Sequence, residues 1–156
     1  MAGAPTTRLQ DAAGRKGVYA ARHIAPGEVL LPLDGVVVDR PHRYSLQIAA
    51  DRHLAPPAGF EDESAWCFIN HQCDPNCRID VARMALVALK AVSAGDEVSF
   101  NYCSTEYDMA SPFGCHCGAA GCYRQVRGFR HLADDEKRRL RGLLAPHLLA
   151  LTAVDV

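Results

Sequence analysis

The chain has 156 residues, 49% of them hydrophobic and 22% charged, which is enough to bury one core without disulfides. That composition excludes disorder, and no apolar run approaches the ~20 residues a membrane span needs. Seventeen basic residues face eighteen acidic ones, a balance that weighs against nucleic acid as a partner. The first seventeen residues hold no hydrophobic stretch that could act as a signal peptide. An intracellular protein is expected, cytoplasmic or, in a eukaryote, nuclear, and not secreted.

In chain order, residues 18–20 read as a strand after Gly17, and 28–33 and 35–38 as two β-rich runs. Asp34-Gly35 between those runs is a hairpin signal. Residues 44–48 alternate, 86–92 are apolar, and 96–102 alternate with Val98 and Phe100 on one face. Residues 61–68 have room for one helical turn or two. Near the C-terminus, Asp134, Asp135 and Glu136 precede Lys137, Arg138 and Arg139, matching the helix dipole. Leu140, Leu143 and Leu144 follow at helical spacing and are expected to cover the core. Pro146 should kink or end this helix before Leu148 and Leu149. Arg124, Arg127, Arg130 and the basic residues of 137–141 read as a solvated face.

Seven cysteines without a signal peptide fit reduced thiols better than a disulfide framework. Cys115-His-Cys117-Gly-Ala-Ala-Gly-Cys122 brings three thiolates within reach of one Zn²⁺, at ~2.3 Å each. His116, Cys103 and the thiols of an earlier group (Cys67, Cys73, Cys77) are candidates for a fourth ligand. A closed four-thiolate site is structural, having no open position. Phe68-Ile-Asn-His-Gln-Cys73-Asp-Pro-Asn-Cys77 is the second constellation. Taken alone, Cys73 or Cys77 near His71 reads either as a thiolate–imidazole pair or as small residues beside a core histidine. No oxyanion-hole motif or third orienting residue accompanies the pair.

Four segments, in order, resemble the SET-domain protein-lysine N-methyltransferases that carry a post-SET zinc motif. They are Gly17-Val-Tyr-Ala20 followed by Ile24-Ala-Pro-Gly27-Glu28-Val29, then Asn70-His71-x-Cys73-x-Pro75-Asn76-Cys77, then Gly95-Asp96-Glu97-Val98-Ser-Phe100-Asn101-Tyr102, and the Cys115–Cys122 cluster. Together they span about residues 14–129. The resemblance implies a mostly β fold with short helices, a SET β-clip with a pseudoknot, a small zinc-bound post-SET segment and a C-terminal helix. The implied divisions are an N-terminal extension (1–13), the SET domain (14–108), the post-SET segment (109–129) and the C-terminal helix (130–156). One structural zinc is implied on Cys73, Cys115, Cys117 and Cys122, leaving Cys67, Cys77 and Cys103 as small apolar residues.

The implied reaction moves methyl groups from S-adenosylmethionine to a lysine amine of a protein or peptide, a histone among the candidates. Tyr102 is the implied catalytic residue. Lys16, Gly17, Tyr44, Asn70 and His71, with Tyr123 and Phe129 from the tail, are the implied cofactor contacts. Phe100 occupies the product-specificity position, where Phe leaves room for an already methylated amine and so implies di- or trimethylation. The sequence departs from the family pattern at four places: Arg15-Lys16-Gly17 with Gly14 one residue early, Gln72, Cys67, and Tyr123-Arg124. The altered glycine loop and Cys67 keep open a catalytically inactive SET module that binds a partner, and a non-histone protein or small amine as acceptor is a further alternative that a bacterial source would favour.

Overall fold

The computed structural model describes residues 5–152. Its strands are short: β1 (Thr7–Ala12), β2 (Arg15–Ala20), β3 (Val29–Pro32), β4 (Val36–Val38), β5 (Leu46–Ala49) and β6 (Arg52–Ala55). They continue with β7 (Asn70–His71), β8 (Cys77–Asp80), β9 (Ala85–Ala88), β10 (Ser99–Phe100), β11 (Phe113–Gly114) and β12 (Gln125–Val126). Two seven-residue helices end the described residues, α1 (Asp134–Leu140) and α2 (Pro146–Thr152). The mostly β architecture with short helices is the expected one. Among the described residues, no helix is long and apolar enough to cross a membrane.

The strands form small sheets rather than one large one: β3-β9-β8, β4-β6-β5, and three two-stranded pairs. β1 pairs antiparallel with β2 through Ala12 opposite Arg15, so Ala13 and Gly14 alone make the turn. Both have positive φ, +53° and +78°, as a type I′ hairpin turn requires. Alanine is a rare choice there, which is why the sequence carries no obvious hairpin signal at this point. The hairpin expected at Asp34-Gly35 does not form. β3 pairs with β9 while β4 pairs with β6, so these two residues carry the chain from one sheet to another. The Asp34 carbonyl instead accepts the Trp66 indole N–H at 2.7 Å, which seals the junction. Residues 61–68 form two 3₁₀ turns.

Two hydrophobic clusters result. The first collects Val18, Ile24, Leu31, Leu54, Trp66, Ile69, Leu86 and Val98 between the sheets. The second holds Cys103, Cys115, Val126, Phe129, Leu132, Leu140 and Leu148. The C-terminal leucines therefore cover the second cluster, not the first. α1 begins with three acidic residues, and Glu136 Oε2 accepts the Ala133 N–H at 2.8 Å. The helix relaxes into a 3₁₀ turn at Arg141–Leu143. Pro146 does not end it. It opens α2, where a missing N–H costs nothing. The basic residues nearby pair at the surface, Arg139 with Asp135 and Arg130 with Asp108.

Candidate active site

The site is built where two distant segments cross. β7 runs parallel to β10, with Asn70 beside Ser99 and His71 beside Phe100. The loop that follows β7 then grips the same strand. Asn76 Nδ2 donates to the Glu97 carbonyl at 3.0 Å, and its Oδ1 accepts the Ser99 N–H at 2.9 Å. Asn101 Nδ2 reaches back to the Cys73 carbonyl at 3.3 Å. With both edges held, Ser99 is buried as well as Val98 and Phe100, so alternation does not expose one face here.

Tyr102 emerges from this crossing. Its N–H donates to His71 Nδ1 at 3.0 Å and its hydroxyl donates to the Ile69 carbonyl at 2.5 Å. Burial, then the charge of Glu106, holds the hydroxyl well above the ordinary tyrosine range, so it is a neutral donor. His71 uses Nδ1 as an acceptor, which leaves its proton on Nε2, 3.2 Å from Cys73 Sγ. Burial lowers the imidazole to about 4. The Cys73–His71 pair thus exists at hydrogen-bond distance, but burial pushes the Cys73 thiol up and three further thiols surround it, unlike a reactive thiolate. The other thiols are raised by burial too, Cys67 to about 11 and Cys77 and Cys103 to about 12, consistent with small apolar roles.

Asn70 Nδ2 donates to the Lys16 carbonyl at 2.9 Å and to Glu97 Oε1 at 2.7 Å, while Arg15 holds the other carboxylate oxygen at 3.2 Å. Gly17 lies against this junction. A Cβ there would meet Glu97 Oε1 at 2.6 Å and Asn70 Nδ2 at 3.2 Å. Gly17→Ala should therefore displace Glu97 and lower stability by about 1–3 kcal/mol, read by urea denaturation. Wild-type stability in that variant would show that the junction is slack.

A cleft of about 1070 Å³ opens over these residues, its walls including Tyr44, Asn70, Phe100, Tyr102, Glu106 and Phe113. Lys16 also lines it, but its ammonium is turned to Asp62 at 2.5 Å and lies 4.8 Å above the Phe68 ring. Gly17, Tyr123 and Phe129 do not line it. Gly17 sits behind the wall at the Asn70–Glu97 junction. Tyr123 stands on the thiol side of His71, its hydroxyl taking the Asn101 Nδ2–H at 3.0 Å. Phe129 is buried in the second cluster beneath the Lys137 ammonium, so its ring has no face free for a ligand. Three residues at the site were missed from the sequence: Glu97, which ties Asn70 down, Phe113, 5.9 Å from the Tyr102 ring, and Glu106. Glu97 lies inside a quoted motif and was legible as its acidic member. Phe113 and Glu106 lie between motifs and carry no local signal.

Glu106 is a carboxyl in the cleft wall whose Oε2 accepts the Gln47 N–H at 2.9 Å and the Thr105 hydroxyl at 2.7 Å. Burial raises it to about 7 in spite of both bonds.

The four sulfurs of Cys73, Cys115, Cys117 and Cys122 lie within 4.8 Å of one another, Cys73 and Cys115 at 3.9 Å. Tetrahedral bonds of ~2.3 Å need sulfurs about 3.8 Å apart, so the set fits a zinc ion after slight contraction. The Tyr123 N–H points at Cys73 Sγ from 3.4 Å, as a donor to a thiolate would. Cys103, His116 and the other early thiols stay outside this group.

A family model described as the SET domain matches residues 15–103. Methyltransferase flvH of Aspergillus flavus is 32% identical over 100 residues, which is 63% of this chain and 55% of that protein. An H3 lysine-36 specific histone-lysine N-methyltransferase of Aspergillus fumigatus is 41% identical over 67 residues, 39% of this chain and 7% of its own length. The chain thus spans about half of one relative and a small part of the other. In fold it is similar to KRYPTONITE, solved in complex with mCHH DNA, H3(1-15) peptide and SAH. The TM-score is 0.58 at 20% identity, covering 77% of this chain and 29% of that one. With the SET match spanning more than half of its residues and the crossed Asn70–Tyr102 segments at its centre, the chain belongs to the SET domain family.

Proposed function

We propose that this chain is an S-adenosylmethionine-dependent methyltransferase acting on a lysine amine of a protein or peptide. The observation that carries the reading is the neutral Tyr102 hydroxyl, held at the crossing of β7 and β10 in the wall of a cleft roomy enough for donor and acceptor together. Bound there, S-adenosylmethionine supplies an electrophilic methyl group on a sulfonium sulfur. The residues of this chain have to align and to exclude water, which is most of the task in such a displacement. Asn70 and His71 hold the backbone of the donor side, with Lys16 and Tyr44 beside it and Gly17 keeping the junction closed. Tyr102 offers oxygen contacts to the electron-poor carbon. Cys73, Cys115, Cys117 and Cys122 hold one structural zinc. Residues 14–108 serve as the SET domain and 109–129 as the zinc segment.

Relatives named for histone H3 lysine-36, and a neighbour solved with an H3 peptide, put histone peptides first among acceptors to try. A histone acceptor would place the protein inside the cell, in the nucleus of a eukaryote. The test is calorimetric titration of zinc-loaded protein with S-adenosylhomocysteine, followed by methyl transfer to a lysine-peptide panel. Binding should be one-to-one, lost in Asn70→Ala and kept in Tyr102→Phe, whose transfer rate should fall about tenfold or more. No binding by well-folded protein would overturn the enzyme reading in favour of an inactive interaction module.

Phe100 packs 4.9 Å from Tyr102 and lines the same wall. Its lack of a hydroxyl supports di- or trimethylation. Phe100→Tyr should shift products toward monomethyl-lysine by mass spectrometry, and an unchanged distribution would remove Phe100 from that role.

A further inference from the structure

Glu106 is fixed from several directions. Its N–H donates to the Tyr102 carbonyl at 2.9 Å, and its own carbonyl accepts the Phe129 N–H at 2.8 Å. The Gln47 and Thr105 bonds both fall on Oε2, which leaves Oε1 without a hydrogen-bond partner among the described residues. Gln47 is itself locked: its Oε1 accepts the Tyr107 N–H at 2.8 Å and its Nε2 donates to the Ala49 and Ala50 carbonyls. The carboxyl is thus aimed rather than loose, and it shares the cleft wall with Phe100 and Tyr102.

What the carboxyl lacks is a countercharge. No basic side chain of the described residues forms an ion pair with it. The titratable groups near it are Tyr102 and Cys103 on its own segment, His53 opposite its partner Gln47 on β6, and His147 of α2, which bonds the Thr105 carbonyl at 2.7 Å, while Arg15, Lys16 and Arg43 line the same cleft without pairing to it. Burial raises the tyrosine and the thiol and lowers both histidines, so all four are neutral near pH 7. A carboxylate largely removed from water and without a countercharge is costly, and it either stays protonated or waits for a cation. The cleft it faces is where an acceptor amine must come, and a lysine arrives as an ammonium ion.

We propose that Glu106 is the counter-ion and proton acceptor for the acceptor amine, so that this site selects an alkylammonium group. The inference rests on the amine-methylation reading above. In the step assigned to it, one N–H bond of the ammonium breaks and its proton passes to Glu106 Oε1. The electron pair stays on nitrogen, which becomes the neutral nucleophile. A group titrating near neutrality is suited to that exchange.

The test uses zinc-loaded full chain saturated with S-adenosylhomocysteine. n-Butylammonium, a mimic of the lysine side chain, is compared with 1-butanol by NMR titration at pH 8. Wild type should prefer the ammonium at least tenfold, and Glu106→Gln, which can still accept the Gln47 and Thr105 bonds, should lose that preference. Equal binding of both probes by wild type, or a preference kept in Glu106→Gln, overturns the inference. A second measurement needs no variant. Near pH 6.5, n-butylammonium binding to wild type should release a proton, seen as a calorimetric heat that varies with the buffer's ionisation enthalpy; a buffer-independent heat also overturns it. Failure of the parent reading looks different: an intact ammonium preference without methyl transfer to any lysine peptide would support the Glu106 site and count against lysine methylation. Transfer with an identical pH profile in wild type and Glu106→Gln would do the reverse.

Discussion

Removing zinc, or replacing Cys73 by Ser, should release residues 109–129 and weaken S-adenosylhomocysteine binding by at least tenfold. The four sulfurs come from two stretches 42 residues apart, Cys73 beside the crossing and Cys115 to Cys122 beyond it. Zinc held there would tie the second hydrophobic cluster to the crossing of β7 and β10. Structural zinc sites carry about 10 kcal/mol or more of apparent binding energy, comparable with the whole stability of a domain. The segment's own strands are short, β11 and β12 pairing over two residues each, and its other ties lie near its end, Tyr123 to Asn101 and Phe129 to the Glu106 carbonyl. Burial pushes the Cys73 thiol up, so without a cation Cys73 is protonated, and metal entry must release its proton.

The effect should reach Tyr102 through one side chain. His71 donates from Nε2 to Cys73 Sγ and accepts the Tyr102 N–H at Nδ1, so the sulfur positions the ring that positions the tyrosine backbone. Hydrogen exchange after chelation should rise over 109–129 and at Tyr102, while β3, β8 and β9 stay protected. Normal cofactor affinity in metal-free protein would sink this coupling.

Glu106→Gln should gain stability relative to wild type as pH rises from 5 to 8, by about 3 kcal/mol across the window. The unfolded chain releases this proton near 4.5, whereas burial in the folded state keeps it on to about 7. Between those values the folded protein binds more protons than the unfolded one, so its stability falls as pH rises. The contribution is complete below pH 4.5 and is lost as pH passes 7. The sign is opposite to that of Asp80, Asp108 and Glu28, whose basic or hydrogen-bonding partners lower them. Converting the rise to energy gives the quoted figure. Urea denaturation of both proteins at matched pH isolates Glu106 from everything else that titrates, the zinc thiols included. Parallel profiles would mean that Glu106 is ionised and hydrated in the free protein.

Short-range chemistry was legible from the residues alone. The C-x-C-x4-C spacing pointed to a metal because three thiolates within eight residues can meet with little help from the rest of the fold, and the Asn70-His71 and Phe100-x-Tyr102 segments carried their resemblance in short stretches. The helix ends near Asp134 and Pro146 were readable for the same reason, although proline proved to start a helix rather than stop one.

Tertiary structure decided whatever depended on what lies opposite. Ala13-Gly14 turns a hairpin because β1 finds β2 to pair with, while Asp34-Gly35, with the better turn composition, turns none because each neighbouring strand has a different partner. Phe129, an aromatic expected at the cofactor, is consumed by the second cluster. Glu106 is one of eighteen acidic residues in the sequence, and nothing local marks it out. Its character comes from Gln47, 59 positions away, which holds one oxygen, and from burial without a countercharge. Local spacing records what a residue can bind. Only the folded surroundings determine its solvation and its charge, and those set its chemistry.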